Sequence, residues 1–249
     1  MRRAGSWRAG ELRVTRGECK MGKREEEEKG KNNRIKLAVF DMEGCLTDDP
    51  TVWEIMHRKR GTWESHGLRY WEQYRAGELD YDTFARMDVE AWGRAPVELL
   101  DAAAREVPLM AGCTELLAGL RAGGVRVAIV SNGLMDVAER FRREFGVTHV
   151  LANRIVTEDG RLTGAISIDV PYEGKGAAVR ALAGELGLRR GEIAAVGDSR
   201  SDIAMFREAG LAVAFRPGEE AVSAAATHTV REKDLRAVLG IVVGEARRG

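Results

Sequence analysis

From residue 35 onward, short and mostly apolar runs recur between longer stretches with helical spacing. Ile35-Lys36-Leu37-Ala38-Val39-Phe40, Val125-Arg126-Val127-Ala128-Ile129-Val130, Ile193-Ala194-Ala195-Val196 and Leu211-Ala212-Val213-Ala214-Phe215 have the length and texture of strands buried on both faces. Helical patterns near 114–122, 135–145, 175–187 and 201–209 lie among them, several closed by a glycine such as Gly146, Gly187 or Gly210, where helices prefer to end. Strand alternating with helix predicts an open α/β fold, a parallel sheet with right-handed crossovers.

Two segments break that alternation. Residues 153–169 alternate polar and apolar around Glu158-Asp159-Gly160, which predicts a β-hairpin. The stretch 51–108 has helical texture and is far longer than an ordinary connection, so it is expected to form a separate helical lobe inserted after the first strand. It holds Trp53, Trp63, Trp71 and Trp92 with Tyr70, Tyr74, Tyr81 and Phe84, expected to be the lobe's own small core with one or two of them lining a pocket. The chain thus divides into residues 1–34, an α/β core of 35–50 and 109–249, and the lobe 51–108.

Composition refines this division. With 44% hydrophobic and 31% charged residues in 249, a sizeable core can be buried and disorder of the whole is excluded. Lys and Arg equal Asp and Glu at 39 each, yet residues 1–34 carry 11 Lys or Arg against 6 Glu, which leaves the remainder acidic. That basic extension has almost no large apolar residues beyond one Trp and is expected to be disordered or a fraying helix. A solvated extension, or an over-long start upstream of Met21, is preferred to a nucleic-acid arm, so nucleic acid is not an expected partner. No apolar run approaches the roughly 18 residues of a membrane span, and no secretory h-region appears. Cys19, Cys45 and Cys113 form no C-x-x-C pair, which fits a reducing, cytoplasmic location.

In an open parallel sheet, ligands bind beyond the carboxyl ends of the strands. There lie Asp41-Met42-Glu43-Gly44-Cys45-Leu46-Thr47 after the first strand, Ser131-Asn132-Gly133 after the second and Gly197-Asp198-Ser199-Arg200-Ser201-Asp202 after the third, with Lys175 at a predicted helix start. Carboxylates gathered with a hydroxyl and an ammonium repel and desolvate poorly without a ligand. Hard oxygen donors suit Mg²⁺, which shares a substrate phosphoryl oxygen. One carboxylate can attack phosphorus, and another two residues on can protonate the leaving oxygen and then activate water. Lys175, Ser131 and the amides of the turn 43–45 can hold the equatorial oxygens.

In their order, Asp-x-Glu-Gly-x-Leu-Thr, Ser-Asn-Gly, Gly-Lys-Gly and Gly-Asp-Ser-x-x-Asp resemble the four motifs of the haloacid dehalogenase superfamily over roughly residues 35–240. With Asn153-Arg154 opening the hairpin and Leu162-Thr163-Gly164 closing it, the set is most similar to the phosphoserine phosphatase branch. The resemblance implies a Mg²⁺-dependent phosphatase acting on a small phosphomonoester through an aspartyl-phosphate. It implies Asp41 as nucleophile, Glu43 as acid/base, and Ser131 and Lys175 on the phosphoryl group, with Asn132 and Gly133 beside Ser131 as substrate-binding residues. Metal would be held by Asp41, the Glu43 carbonyl and Asp198, supported by Asp202, and the lobe 51–108 would be the cap.

Three departures bear on specificity. Glu43 replaces the usual Asp and reaches about 1.5 Å further. The branch's cap glutamate falls on Pro50, with Glu54 one helical turn on, and its carboxylate-gripping arginine falls on Asp88, with Arg86 two residues earlier as a substitute. Phosphoryl transfer to an alcohol such as homoserine is therefore an alternative, as is an inactive relative that binds a phospholigand or partner. Other readings are weaker. Cys45 fits a small apolar filler, Gly-Asp-Ser-Arg-Ser lacks the last Gly of an esterase elbow and fits a helix N-cap at Ser199, Gly-Lys-Gly lacks a P-loop's Ser or Thr, and no histidines have metal spacing.

Overall fold

The computed structural model describes residues 35–248, so the expectation for residues 1–34 lies outside the described residues. One seven-stranded sheet has the order β4-β3-β2-β1-β5-β6-β7. Its members are β1 (Leu37–Phe40), β2 (Arg126–Leu134), β3 (His149–Glu158), β4 (Arg161–Ser167), β5 (Ile193–Gly197), β6 (Leu211–Phe215) and β7 (His228–Val230). All neighbours pair in parallel except β3 with β4. Ala38 and Phe40 of β1 join one apolar cluster while Leu37 and Val39 join another, one on each face. That explains an unbroken apolar run: a central strand has no wet side.

Strand β2 runs through Ser131-Asn132-Gly133, which the sequence pattern put just beyond it. Its register with β3 shifts between Val130 and Leu134, so these residues continue the strand irregularly. Strand β3 likewise does double duty, parallel to β2 at His149–Leu151 and antiparallel to β4 from Arg154. The predicted hairpin is its second half, closed at Asp159-Gly160 where both residues have positive φ, as a two-residue type I′ turn requires.

Between β1 and β2 lie α1 (Val52–Arg60), a π turn at Trp63–Gly67, α2 (Leu68–Arg75), α3 (Tyr81–Trp92) and α4 (Val97–Glu106), followed by α5 (Cys113–Ala122). Thr51 and Asp80 cap α1 and α3 through their side chains, accepting from Glu54 N and Thr83 N. The remaining helices are α6 (Met135–Phe145), α7 (Lys175–Glu185), α8 (Ile203–Arg207), α9 (Glu220–Ala225) and α10 (Arg236–Arg248). Among the described residues no helix is long and apolar enough to cross a membrane.

The insertion enters and leaves along one short ribbon. Asp48 N donates to Pro108 O and Met110 N to Leu46 O, both at 2.9 Å, flanking an antiparallel bridge of Thr47 with Leu109. A second contact joins it to the hairpin, where Val97 N donates to Gly160 O and Leu162 N to Ala95 O. The lobe does not have the separate core expected of it. Val52, Ile55, Met56, Val89 and Trp92 belong to the same apolar cluster as Phe40 and Leu134, because α3 packs on β4 and α4 on α6, while α1 packs on α3 and α4. Trp71, by contrast, is 42% exposed.

Candidate active site

Phe40 is in register with Ile129 on one side and Val196 on the other, so the residues that follow in β1, β2 and β5 reach one edge of the sheet together. Asp41, Ser131, Asn132, Lys175 and Asp202 are all buried there. Lys175, the first residue of α7, sets its ammonium between two carboxylates, 2.9 Å from Asp41 Oδ1 and 2.7 Å from Asp202 Oδ1. The other oxygen of Asp202 accepts from the amides of Asp198 and Ser199, both at 2.9 Å. Ser199 and Asp202 thus form a reciprocal cap on the 3₁₀ turn Arg200–Asp202, the capping role expected for Ser199. Gly197 is required beneath it: a Cβ there would lie 2.3 Å from Asp202 Cγ.

Asp41, Asp198 and Asp202 each present an oxygen within 4.8 Å of the others. Asp202 is already bonded through both oxygens, whereas buried Asp198 Oδ1 has no partner. Gly44 has φ 76°, and a Cβ on it would stand 2.7 Å from Asp198 Oδ2, so the Asp41 loop passes directly over Asp198. Of the turn amides expected to be free, that of Cys45 donates to Met42 O at 3.3 Å. The Cys45 side chain is buried, its Sγ 3.9 Å from Val196 O and its pKa pushed well up by burial and by Asp198 and Asp41, which fits an inert filler.

Glu43 accepts from Trp53 Nε1 through Oε2 at 3.2 Å, while its buried Oε1 has no partner. Burial and the charge of Asp41 push its pKa up to about 7, against the Trp53 hydrogen bond. Burial also raises Asp41, opposed by Lys175, and lifts Asp198 well above the carboxylate range with help from Asp41 and Asp202. For Lys175, burial works against the charge, but Asp202 and Asp41 outweigh it and hold its pKa above the ordinary value. The field at this edge therefore favours added positive charge.

Ser131 Oγ accepts from Gly133 N at 3.0 Å. Asn132 Nδ2 donates to Val170 O and Pro171 O, while the backbone carbonyl of Asn132 accepts from Asn153 Nδ2 and Tyr81 Oη. Asn153, fully buried, also accepts from Val170 N and so ties β2, β3 and the loop before α7 together. Sequence reasoning singled out neither Asn153 nor Tyr81 as part of the site; the Asn153-Arg154 start of the hairpin was the available signal. The insertion contributes an aromatic group: Trp53 lies 5.5 Å from Trp92, and Tyr81 is 6.2 Å from both Tyr74 and Tyr172.

Arg86 lies on the exposed side of α3 and makes none of the contacts that join the strand-end residues. Asp88, on the buried side, faces the helices of the insertion: its Oδ1 is 2.9 Å from His57 Nε2, and His57 Nδ1 is 2.8 Å from Thr62 Oγ1. A cavity of about 250 Å³ beside Arg121, Arg126 and Thr148 lies at the start of β2 and β3, the edge away from these carboxylates.

The model of the haloacid dehalogenase-like hydrolases matches residues 38–207. The phosphoserine phosphatase of Methanocaldococcus jannaschii is 29% identical over 205 residues, 82% of this chain and 96% of that protein. That of Lactococcus lactis is 29% identical over 207 residues, 83% and 94%. Two solved structures, a phospho-aspartyl intermediate analogue of phosphoserine phosphatase and a substrate-bound phosphoserine phosphatase complex, each superpose with a TM-score of 0.75 at 28% and 27% identity. Each match covers 84% of this chain and 99% of the other.

Proposed function

We propose that this chain, which belongs to the haloacid dehalogenase-like hydrolases and is a phosphomonoester hydrolase, works with Mg²⁺ through a phosphoryl group carried on Asp41. The observation that carries the reading is Asp41 at the end of β1, oriented by Lys175 at 2.9 Å, with the unpartnered Oε1 of Glu43 two residues on. Asp41 is the nucleophile, its oxygen attacking phosphorus as the ester bond breaks. Glu43 gives a proton to the departing alcohol and later takes one from water. Ser131 and Lys175 hold the phosphoryl oxygens, and the helical insertion is the cap that closes over them and excludes water.

The residues fit a divalent metal. Asp198 Oδ1 is buried without a partner, and the cluster it shares with Asp41 and Asp202 offers carboxylate oxygens, the ligand type that Mg²⁺ prefers. Asp41, Asp198 and the Glu43 carbonyl would hold the ion, with Asp202 fixing the Asp198 loop. Once bound, it supplies positive charge that offsets the carboxylates and the incoming phosphate. Phosphate release from p-nitrophenyl phosphate tests this reading: turnover is expected with Mg²⁺, lost in excess chelator and restored by Mg²⁺. Full activity in chelator overturns the metal assignment.

The relatives named phosphoserine phosphatase support a small phosphorylated metabolite as the substrate class. Phosphoserine itself is less favoured, because Asp88 is bound up with His57 and Arg86 is exposed, so neither grips a substrate carboxylate in this arrangement.

A further inference from the structure

We infer that Trp53 is a positioning residue for Glu43, its indole N–H selecting which carboxylate oxygen meets the leaving group. The inference rests on the acid/base role proposed for Glu43. Trp53 Nε1 holds Oε2 at 3.2 Å, and Oε1 is left buried and open. Gly133 makes room for that carboxylate: a Cβ at 133 would stand 3.0 Å from Glu43 Cδ and 3.2 Å from Oε1. An indole N–H can only donate, so a proton on Oε2 would set two donors face to face. The acid form therefore carries its proton on Oε1.

The indole is itself held fast. Trp53 is 6% exposed and packs 5.5 Å from Trp92 and 6.1 Å from Phe84, both on α3. The orientation of Glu43 is thus set by the insertion while its backbone belongs to the core. Length matters as well: an aspartate at 43 would end about 1.5 Å short, beyond good hydrogen-bond range of an indole now at 3.2 Å. Glu43 and Trp53 form a matched pair, which gives the longer side chain a structural reason.

In the first half-reaction the Oε1 proton passes to the alcohol oxygen as its bond to phosphorus breaks and the Asp41–phosphorus bond forms. In the second, Oε1 takes a proton from water as the water oxygen bonds to phosphorus and the aspartyl bond breaks. An alkyl leaving group needs that first proton far more than a nitrophenolate does.

The test compares kcat/KM for glycerol 2-phosphate and p-nitrophenyl phosphate with Mg²⁺ in the full chain. In Trp53→Phe the alkyl-to-aryl ratio is expected to fall about tenfold, the order associated with a misaligned catalytic group. Both rates come from one preparation, so the ratio does not depend on the fraction folded. An unchanged ratio, whether both rates fall together or neither moves, overturns the assignment. In a Glu43→Asp background, Trp53→Phe should leave the ratio as it is, and a further tenfold drop there also overturns it. Wild-type protein inert toward both esters would instead sink the proposed function itself, and this inference with it.

Discussion

The core and the insertion both bury charge, and they do so in contrary ways. At the strand ends Lys175 is shared between Asp41 and Asp202, while Asp198 Oδ1 and Glu43 Oε1 are buried without partners. In the insertion Asp88 meets His57, and the second ring nitrogen of His57 meets Thr62, so the chain of contacts closes on itself. Burial lifts the Asp88 pKa and the His57 contact works against it. A closed chain is complete as it stands. An open one is costly unless something else completes it. The two unsatisfied oxygens gathered around the shared Lys175 set the strand ends apart from the His57–Asp88 pair, whereas Asp82 Oδ1 and Trp92 Nε1 of the insertion are buried without partners singly, away from that pair of carboxylates and their lysine.

The sharpest way to break this comparison is Asp41→Asn. Turnover is expected to fall by about 10⁴-fold or more, as when a nucleophile is lost, while thermal unfolding shows the fold intact. Substantial phosphate release from the folded variant would remove Asp41 from the nucleophile's role. Asp88→Ala should do the reverse. It strands His57 in the interior and is expected to cost about 3 kcal/mol of stability in denaturant unfolding, with aryl phosphate turnover per folded molecule little changed. Loss of turnover without loss of stability would place Asp88 with the chemistry after all.

The smallest effect is expected at the edge where the strands begin. Lys36 and the amide and guanidinium of Arg189 hold Glu192 down at about 2, from an ordinary value of 4.5. A depressed carboxylate contributes stability that is present above its unfolded pKa and lost as pH falls through the folded one. Glu192→Gln should therefore flatten the decline in Tm between about pH 4.5 and 2, with turnover at neutral pH unaffected. An identical acid limb in the two proteins would show that the Glu192 contacts add nothing.

The central strands were legible because burial on both faces leaves an unbroken apolar run, as in Leu37–Phe40. Strand β7 was not, since His228–Val230 is three residues long and mostly exposed. The continuation of β2 through Ser131 and Asn132 was hidden because their side chains are polar yet buried, Ser131 Oγ accepting from Gly133 N and Asn132 Nδ2 donating to Val170 O. Asp41, Lys175, Asp198 and Asp202 could be gathered from topology alone, since each follows a strand or opens a helix. Contacts across the insertion could not be. His57 and Asp88 lie 31 residues apart and Trp53 meets Glu43 through side-chain geometry that no spacing rule encodes. The apolar cluster that the insertion shares with the core was missed for the same reason: helical periodicity shows that a face is apolar, and not what covers it.

The ribbon at Leu46–Asp48 and Pro108–Met110 has a consequence for how such a protein can be remodelled. The chain departs and returns within one hydrogen bond, so β1 and β2 do not depend on the insertion for their mutual placement. Genetic exchange at these two points could replace everything between them without re-routing the backbone on either side. The obstacle is interfacial: a transplanted segment must offer apolar cover where Val52, Ile55 and Val89 now lie, and a donor for Glu43 where Trp53 now stands. Compatibility between grafted halves is thus decided by a handful of side chains and hardly at all by the junctions.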